Sequence, residues 1–406
     1  MPKVIVGMSG GIDSSVTAYL LKERGYDVEG VSFLMQEHGE GSTATCSRRT
    51  STMIANTALR LGMRHEIVDV RKEFFEKVIT PFINAYMSGL TPNPCILCNR
   101  YIKFPYLLEI ARDRGADCIA TGHYARIERA DPGTRLPANA GMVSGIELHD
   151  TPLLKKGIDA GKDQSYVLHS LPREMLDSLL LPLGSYTKDA VREIGSRLGI
   201  SPSACPESQE ICFVRDKKYV SFIQRFAQDA IEPGPIVDQK GKIIGTHTGI
   251  YGYTVGQRKR LGIASQEPLY VVSIDIDRNI VHAGGRESAK KREFIVHELN
   301  WLIPAPLQVM GSDQGGAEHS SSFRATVKIR STMKDQPATI YVDPRCMIQD
   351  AFQEHDRHLS CIVHPASCRV VRVVFDEPQW APAPGQSAVF YDNDVVIGGG
   401  IISRPV

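Results

Sequence analysis

Three thiols and one glycine-rich turn are the residues of this chain whose types and spacing suit chemistry. Cys95 and Cys98 fall in Leu90-Thr91-Pro92-Asn93-Pro94-Cys95-Ile96-Leu97-Cys98-Asn99-Arg100, a polar, proline-stiffened segment in which packing alone gives no reason for two thiols. Cys212 lies in Glu207-Ser208-Gln209-Glu210-Ile211-Cys212-Phe213, and the run Ile-Cys-Phe taken alone reads as a buried apolar thiol. Cysteine attacks carbon or sulfur, and binds metal, as the thiolate. The other feature is Gly7-Met8-Ser9-Gly10-Gly11-Ile12-Asp13-Ser14-Ser15. Glycines let backbone come close to a phosphate, and the amides of a loop and helix start favour an anion. Ser9, Ser14 and Ser15 add hydroxyl donors, and Asp13 fits a Mg²⁺ or pyrophosphate role because a hard cation wants carboxylate oxygen. A plain tight turn would need one glycine and an N-cap serine. The pattern G-x-x-x-x-G-K is not met, since no lysine stands at its place, and G-x-G-x-x-G is absent too.

The elements that must position these residues read as alternating strands and helices. Strand-like runs at Val4–Met8, Val28–Phe33, His65–Val70 and Cys118–Thr121 alternate with helical stretches at Ser14–Arg24, Met53–Leu61, Phe74–Met87 and Phe104–Arg114. That rhythm predicts a parallel sheet with helices on both faces and ligands beyond the carboxyl ends of its strands. The cysteine segment then falls in a loop between two helices. Thr187–Leu198 reads as a further helix with Thr187 as N-cap and Gly199 past its end. Segments 131–147 and 311–322, rich in Gly, Ser and other turn formers, read as a surface insertion and a flexible loop. After Pro233 the pattern changes to short alternating runs with Gly, Asp and Asn turns, which predicts a small β-rich module and then a β-barrel. The expected division is residues 1–205, 206–289 and 290–406.

At 406 residues the chain is too long for one ordinary core. With 42% hydrophobic and 23% charged residues and no run of about 18 apolar residues, it reads as soluble, without a membrane span. The N-terminus enters a strand directly rather than a signal-peptide pattern, so a cytoplasmic location is expected, in which nine cysteines stay reduced unless they bind metal or do redox chemistry. A net charge of +1 leaves only local basic clusters, Arg258-Lys259-Arg260 and Lys290-Lys291-Arg292, as a nucleic-acid footprint, and each alone reads as solvated surface.

The glycine turn resembles the SGG-x-DS loop of the PP-loop ATP pyrophosphatases, which split ATP between the α and β phosphates and adenylate a substrate oxygen. Over nearly the whole chain the cysteine segments resemble the tRNA-specific 2-thiouridylases, together with Thr121-Gly122-His123-Tyr124-Ala125-Arg126, Lys162-Asp163-Gln164-Ser165-Tyr166 and Tyr253-Thr254-Val255-Gly256-Gln257-Arg258. The resemblance implies an α/β fold: a Rossmann-like PP-loop domain, a β-rich central domain and a C-terminal β-barrel that contacts tRNA. It implies a monomer that uses ATP and Mg²⁺ to adenylate O2 of the wobble uridine in tRNAs for Lys, Glu and Gln. A persulfide sulfur, supplied by a cysteine desulfurase or sulfur relay protein, then displaces AMP. By motif position Cys212 would carry the persulfide and Cys98 would be its partner nucleophile. Gly7, Met8, Ser9, Gly10, Gly11, Ile12, Asp13, Ser14, Phe33 and Gly122 would hold ATP. Asn93, Pro94 and Cys95 would contact the target base. His123, Lys162, Asp163, Gln164, Arg330, Ser331 and Gln386 would line the tRNA site, although His123 also suits a structural role.

Many family members carry Asp where this chain has Cys95. The resulting C-x-x-C leaves a second reading open, in which Cys95, Cys98 and Cys212 hold a 4Fe-4S cluster with one open iron. Cys46, Cys118, Cys205, Cys346, Cys361 and Cys368 read as packing or surface thiols. Two other functions remain at this level: a synthetase that adenylates a small carbonyl and adds an amine, and an RNA-binding protein whose loop only senses ATP. The first needs no cysteine pair, and the second needs neither Asp13, Cys98 nor Cys212.

Overall fold

Val4, Ile5 and Val6 are all wholly buried, as a strand covered by helices on both faces requires. In this computed structural model the described residues are 1–36, 48–131, 148, 150–200, 211–214, 219–227, 232–303, 321–342 and 370–404. Strands β1 (Lys3–Gly7), β2 (Asp27–Leu34), β3 (Arg64–Asp69) and β4 (Cys118–Ala120) form a parallel sheet in the order β3-β2-β1-β4. Alternate residues serve opposite faces: Ile5, Val31 and Ile119 enter one apolar cluster, while Val4, Val6, Val28 and Ala120 enter another with helix residues Ala18, Leu21 and Ile54. Helix Ile12–Glu23 follows β1 and helix Phe104–Asp113 precedes β4.

β5 (Ala125–Arg129) and β6 (Pro152–Lys156) form a hairpin that was not foreseen, and it leaves the first sheet altogether. β7 (Leu179–Leu180) returns as that sheet's fifth strand, beside β4. Helix Lys188–Arg197 follows, capped as expected by Thr187, whose hydroxyl oxygen accepts from the Ala190 amide at 3.3 Å.

β8 (Gly234–Val237), β9 (Ile243–His247), β10 (Tyr270–Asp275) and β11 (Ile280–Gly284) make the small central sheet. β12 (Lys290–Trp301), β13 (Ser321–Lys328), β14 (Gln336–Val342), β15 (Val370–Trp380), β16 (Ser387–Asp392) and β17 (Val395–Ile402) run in the order β12-β15-β14-β13-β16-β17. A further pairing of β12 with β17 closes them into a barrel, which leaves no edge among these six strands. β6 attaches to β17, so the hairpin of the first domain extends the barrel's sheet.

Two expectations change. Pro94–Cys98 is helical and continues as a π-helical turn, Asn99–Lys103, into helix Phe104–Asp113, so the polar loop ends at Asn93. Ser321 and Ser322 belong to β13 rather than to a loop. Residues 132–147 of the insertion, 311–320, Glu207–Glu210, the 205/206 division, and Cys46, Cys205, Cys346, Cys361 and Cys368 lie outside the described residues. Among the described residues no helix is long and apolar enough to cross a membrane.

Candidate active site

The glycine turn runs from the carboxyl end of β1 into helix Ile12–Glu23, with Gly11 at the N-cap. Gly10 has φ +79, a left-handed conformation that β-carbons oppose. Ser14 holds the turn from inside: its hydroxyl accepts from the Ser9 amide at 3.2 Å and donates to the Gly11 carbonyl at 3.1 Å. Ser15 also donates to Gly11. Ser14 and Ser15 are thus committed to the shape of the loop, and Ser9 is the exposed hydroxyl of the three. Gly122, just after β4, lies flat against the helix start, where a Cβ would come within 2.9 Å of the Asp13 carbonyl carbon and 3.0 Å of the Ser14 nitrogen. Phe33 stands near the end of β2, edge-on to Tyr106.

Asp13 is the electrostatic centre of the loop. Its carboxylate accepts from Lys188 Nζ at 2.8 and 2.9 Å and from the Tyr124 hydroxyl at 2.7 Å. Neither partner was assigned a role by sequence reasoning. A signal for Lys188 existed: it opens a helix, where a cation opposes the helix dipole and so calls for a nearby carboxylate.

The thiols gather around Lys103. Asn93 caps helix Pro94–Cys98 by accepting from the Cys95 amide at 3.1 Å, with Pro94 at the first position. This turn leaves Cys95 exposed and Cys98 buried. Cys98 packs in one cluster with Phe213 and Val214, which follow Cys212. Cys212 is solvent-exposed, yet enough protein rings its sulfur that desolvation, and then the nearby Cys98 and Cys95, push its pKa up to about 12. Burial pushes Cys98 up to about 11. Lys103, at the end of the π-helical turn, faces Cys98, Cys95 and Cys212; burial works against its charge, but the three sulfurs outweigh it and raise its pKa. Sequence reasoning missed Lys103, which stands on the π-helical turn that follows the cysteine helix.

Among the described residues no group of three Cys, His, Asp or Glu side chains stands close enough to hold a metal ion. Cys95, Cys98 and Cys212 are electrostatic neighbours, but as placed they do not form the ligand set of a cluster. Asp13, by contrast, suits Mg²⁺, which is commonly held by one carboxylate, phosphates and water.

His123 bridges the two regions. Its neighbour Gly122 touches the glycine loop, while its ring stacks on Phe104 at 5.6 Å and feels Lys103. Burial, then Lys103, lowers its pKa to about 3, so it is a neutral hydrogen-bonding ring tied through Nδ1 to the Thr121 hydroxyl at 2.7 Å. The other expected RNA contacts are spread along the junction between domains. Asp163 is turned inward: its carboxylate accepts from the Gly157 and Ser165 amides, the Ser165 hydroxyl and Lys328 Nζ, and it is 4% exposed. Gln164 accepts from the Tyr124 amide, and Lys162 is half-buried beside it. Arg330 is half-buried and donates to the Ala381 carbonyl, whereas Ser331 is exposed. Gln386 donates to the Thr91 carbonyl, so it braces the segment that leads to Asn93.

A glycine-looped parallel sheet joined to a closed barrel defines a nucleotide-binding domain with a β-barrel appendage. Residues 2–216 match the family model described as tRNA methyl transferase HUP domain, 220–285 the tRNA methyl transferase PRC-barrel domain, and 345–402 the aminomethyltransferase beta-barrel domain. A tRNA-specific 2-thiouridylase of Thermoanaerobacter sp. is 40% identical over 407 residues, covering 99% of this chain and 98% of the relative. One from Caldanaerobacter subterraneus is 40% identical over 409 residues, with 100% and 98% covered. Another, from Clostridioides difficile, is 38% identical over 405 residues, with 99% and 98% covered. The chain belongs to the tRNA-specific 2-thiouridylase family.

Proposed function

We propose that this protein is a tRNA-uridine 2-sulfurtransferase that adenylates O2 of the wobble uridine in tRNAs for Lys, Glu and Gln and then replaces that oxygen with sulfur. The observation that carries the reading is the pair Gly122-His123, which touches the glycine loop on one side and, through Lys103, the three thiols on the other. A base seated there would meet an activating nucleotide and a sulfur source in one site.

In the first step uridine O2 attacks the α-phosphorus of ATP. The bond to the bridging oxygen breaks, pyrophosphate leaves with the electron pair, and the N3 proton passes to solvent. Gly7–Ser14 present backbone amides to the phosphates, while Phe33 and Gly122 border the adenosine. Asp13 would hold a Mg²⁺ ion bound with the nucleotide, which would supply positive charge there. In the second step the terminal sulfur of a persulfide on Cys212 attacks C2 and AMP leaves. Cys98 thiolate then attacks the Cys212 sulfur, which frees 2-thiouridine and leaves a Cys98–Cys212 disulfide for an external thiol to reduce. Splitting one displacement of oxygen into two gives each step a competent leaving group. Lys103 offsets the negative charge of the sulfur that attacks. Asn93, Pro94 and Cys95 border the base, and His123, Lys162, Gln164, Arg330, Ser331 and Gln386 line the approach of the tRNA. The sulfur comes from a desulfurase or relay protein, and the enzyme works as a cytoplasmic monomer.

The test is incubation with ATP, Mg²⁺, unmodified tRNA and a persulfide donor, followed by nucleoside analysis. 2-Thiouridine forms only with all components present. An amine adduct, or ATP binding without turnover, would replace this reading with one of the two alternatives.

A further inference from the structure

Asn99 is 1% exposed and directly follows the buried Cys98, at the start of the π-helical turn. Its amide nitrogen donates to the Val167 carbonyl at 3.0 Å, in the helical turn Ser165–Leu168. Backbone hydrogen bonds run on from there. The Val167 amide donates to the Gln164 carbonyl at 3.1 Å, and the Gln164 amide donates to the Tyr124 carbonyl at 2.8 Å. Tyr124 adjoins Gly122-His123, whose glycine lies against the start of the helix that carries Asp13. One side chain therefore links the residue beside a reacting thiol to backbone that ends at the glycine loop.

A purely structural tie is the plainer explanation, and two observations argue against it. The oxygen of the same amide is buried and has no hydrogen-bond partner among the described residues. An unpaired buried acceptor costs more than one neutral hydrogen bond returns, so Asn99 adds little to stability on balance. Docking does not need it either, because Ile96 and Phe104 on the cysteine side and Tyr166 and Leu168 on the other are buried in one apolar cluster. Hydrophobic contact is non-directional, whereas a hydrogen bond to one carbonyl fixes a single register. What the amide contributes is position. The π-helical turn that it opens belongs to a rare class that recurs at functional sites.

We propose that Asn99 is a positioning residue for sulfur release: by tying the cysteine helix to the turn Ser165–Leu168 it holds Cys98 where its thiolate reaches the Cys212 sulfur. This rests on the sulfur-transfer reading above. No bond is made or broken at Asn99. Adenylation and the attack of the persulfide on C2 precede the step that Cys98 performs, so they do not depend on the tie. When Cys98 is out of place, AMP still leaves, and the uridine stays joined to Cys212 through a disulfide until a thiol cleaves it.

The test is a single turnover with ATP, Mg²⁺, unmodified tRNA and persulfide-loaded protein, without reductant, for the full chain, Asn99→Leu and, as reference for complete loss, Cys98→Ser. Asn99→Leu is expected to form AMP within about twofold of wild type and to release 2-thiouridine about tenfold to a hundredfold more slowly, the scale of a misplaced reacting group. Protein-linked tRNA should accumulate in that variant, as in Cys98→Ser, and dithiothreitol should free it as 2-thiouridine. Release at the wild-type rate, or AMP and 2-thiouridine falling together without the adduct, would overturn the proposal. A second arm uses no tRNA. Cys98, 5% exposed in the native chain, should be alkylated by iodoacetamide several-fold faster in Asn99→Leu, and an unchanged rate would also overturn the proposal. If Asn99→Leu does not fold, Asn99→Asp, of the same size and unable to donate while ionised, is judged by the same readouts. A wild-type protein that forms no thiouridine would sink the sulfurtransferase reading and leave Asn99 to be judged by the alkylation of Cys98.

Discussion

His123 and His169 are the residues through which this protein should sense acid. Burial lowers His123 to about 3 and His169 to about 4, from an ordinary value of 6.5. Folded, both stay neutral, while in the unfolded chain each gains a proton below pH 6.5. The unfolded state then binds more protons, so the stability these residues contribute is complete above pH 6.5 and is lost as pH falls towards about 4 for His169 and about 3 for His123. The thermal midpoint should drop across that window, and His169→Gln should flatten the drop; a midpoint that does not move there contradicts their burial. Cys95 separates the two sulfur chemistries. It is exposed, and among the described residues it belongs to no group of three side chains placed to hold a metal ion, so Cys95→Asp should keep thiolation with a persulfide donor, whereas Cys98→Ser and Cys212→Ser should each lose at least about a hundredfold. Iron that copurifies under anaerobic conditions, and vanishes with activity in all three variants, would instead establish the cluster.

At the scale of elements, what could be read from the sequence was what local pattern encodes. The first strand, the glycine turn and its helix are legible because Val4, Ile5 and Val6 form an unbroken apolar run and the glycines follow at once. The helix after Thr187 is legible from its cap. The cysteine turn was not. Pro94–Cys98 is five residues long, too short for a period, and its helical form depends on the Asn93 cap and on burial of Ile96 and Cys98 against distant residues. The π-helical turn that follows leaves no mark in composition, although such turns recur at functional sites. For the same reason Lys103 escaped notice. The hairpin β5–β6 escaped because its partner strand, β17, lies some 240 positions further along, beyond any local pattern. Lys188 and Tyr124 meet Asp13 only through the tertiary fold.

Across the whole molecule the three modules are interlocked at the segment that precedes the cysteine turn. Gly89 lies against Ile274 of the central sheet and Ile276 in the turn after it, the Thr91 amide donates to the Pro384 carbonyl, Gln386 holds the Thr91 carbonyl, and Arg404 holds that of Ser88. Lys328 of the barrel reaches the buried Asp163, and breaking such a pair costs about 3–5 kcal/mol. Truncation before residue 290 should therefore lower the thermal stability of the remaining part and abolish adenylation, beyond weakening tRNA affinity; a truncated chain with unchanged stability and pyrophosphate release contradicts the interlock. Binding of tRNA by the full chain should still fall steeply with salt, despite a net charge of +1, because each neutralised phosphate releases counterions. The measurement that reaches the central claim most directly is the fate of the uridine oxygen. With tRNA carrying a heavy oxygen isotope at O2 of the target uridine, the account predicts that each 2-thiouridine formed is matched by one AMP bearing the label in its phosphate, whereas unlabelled AMP alongside thiouridine would show that this oxygen is never adenylated.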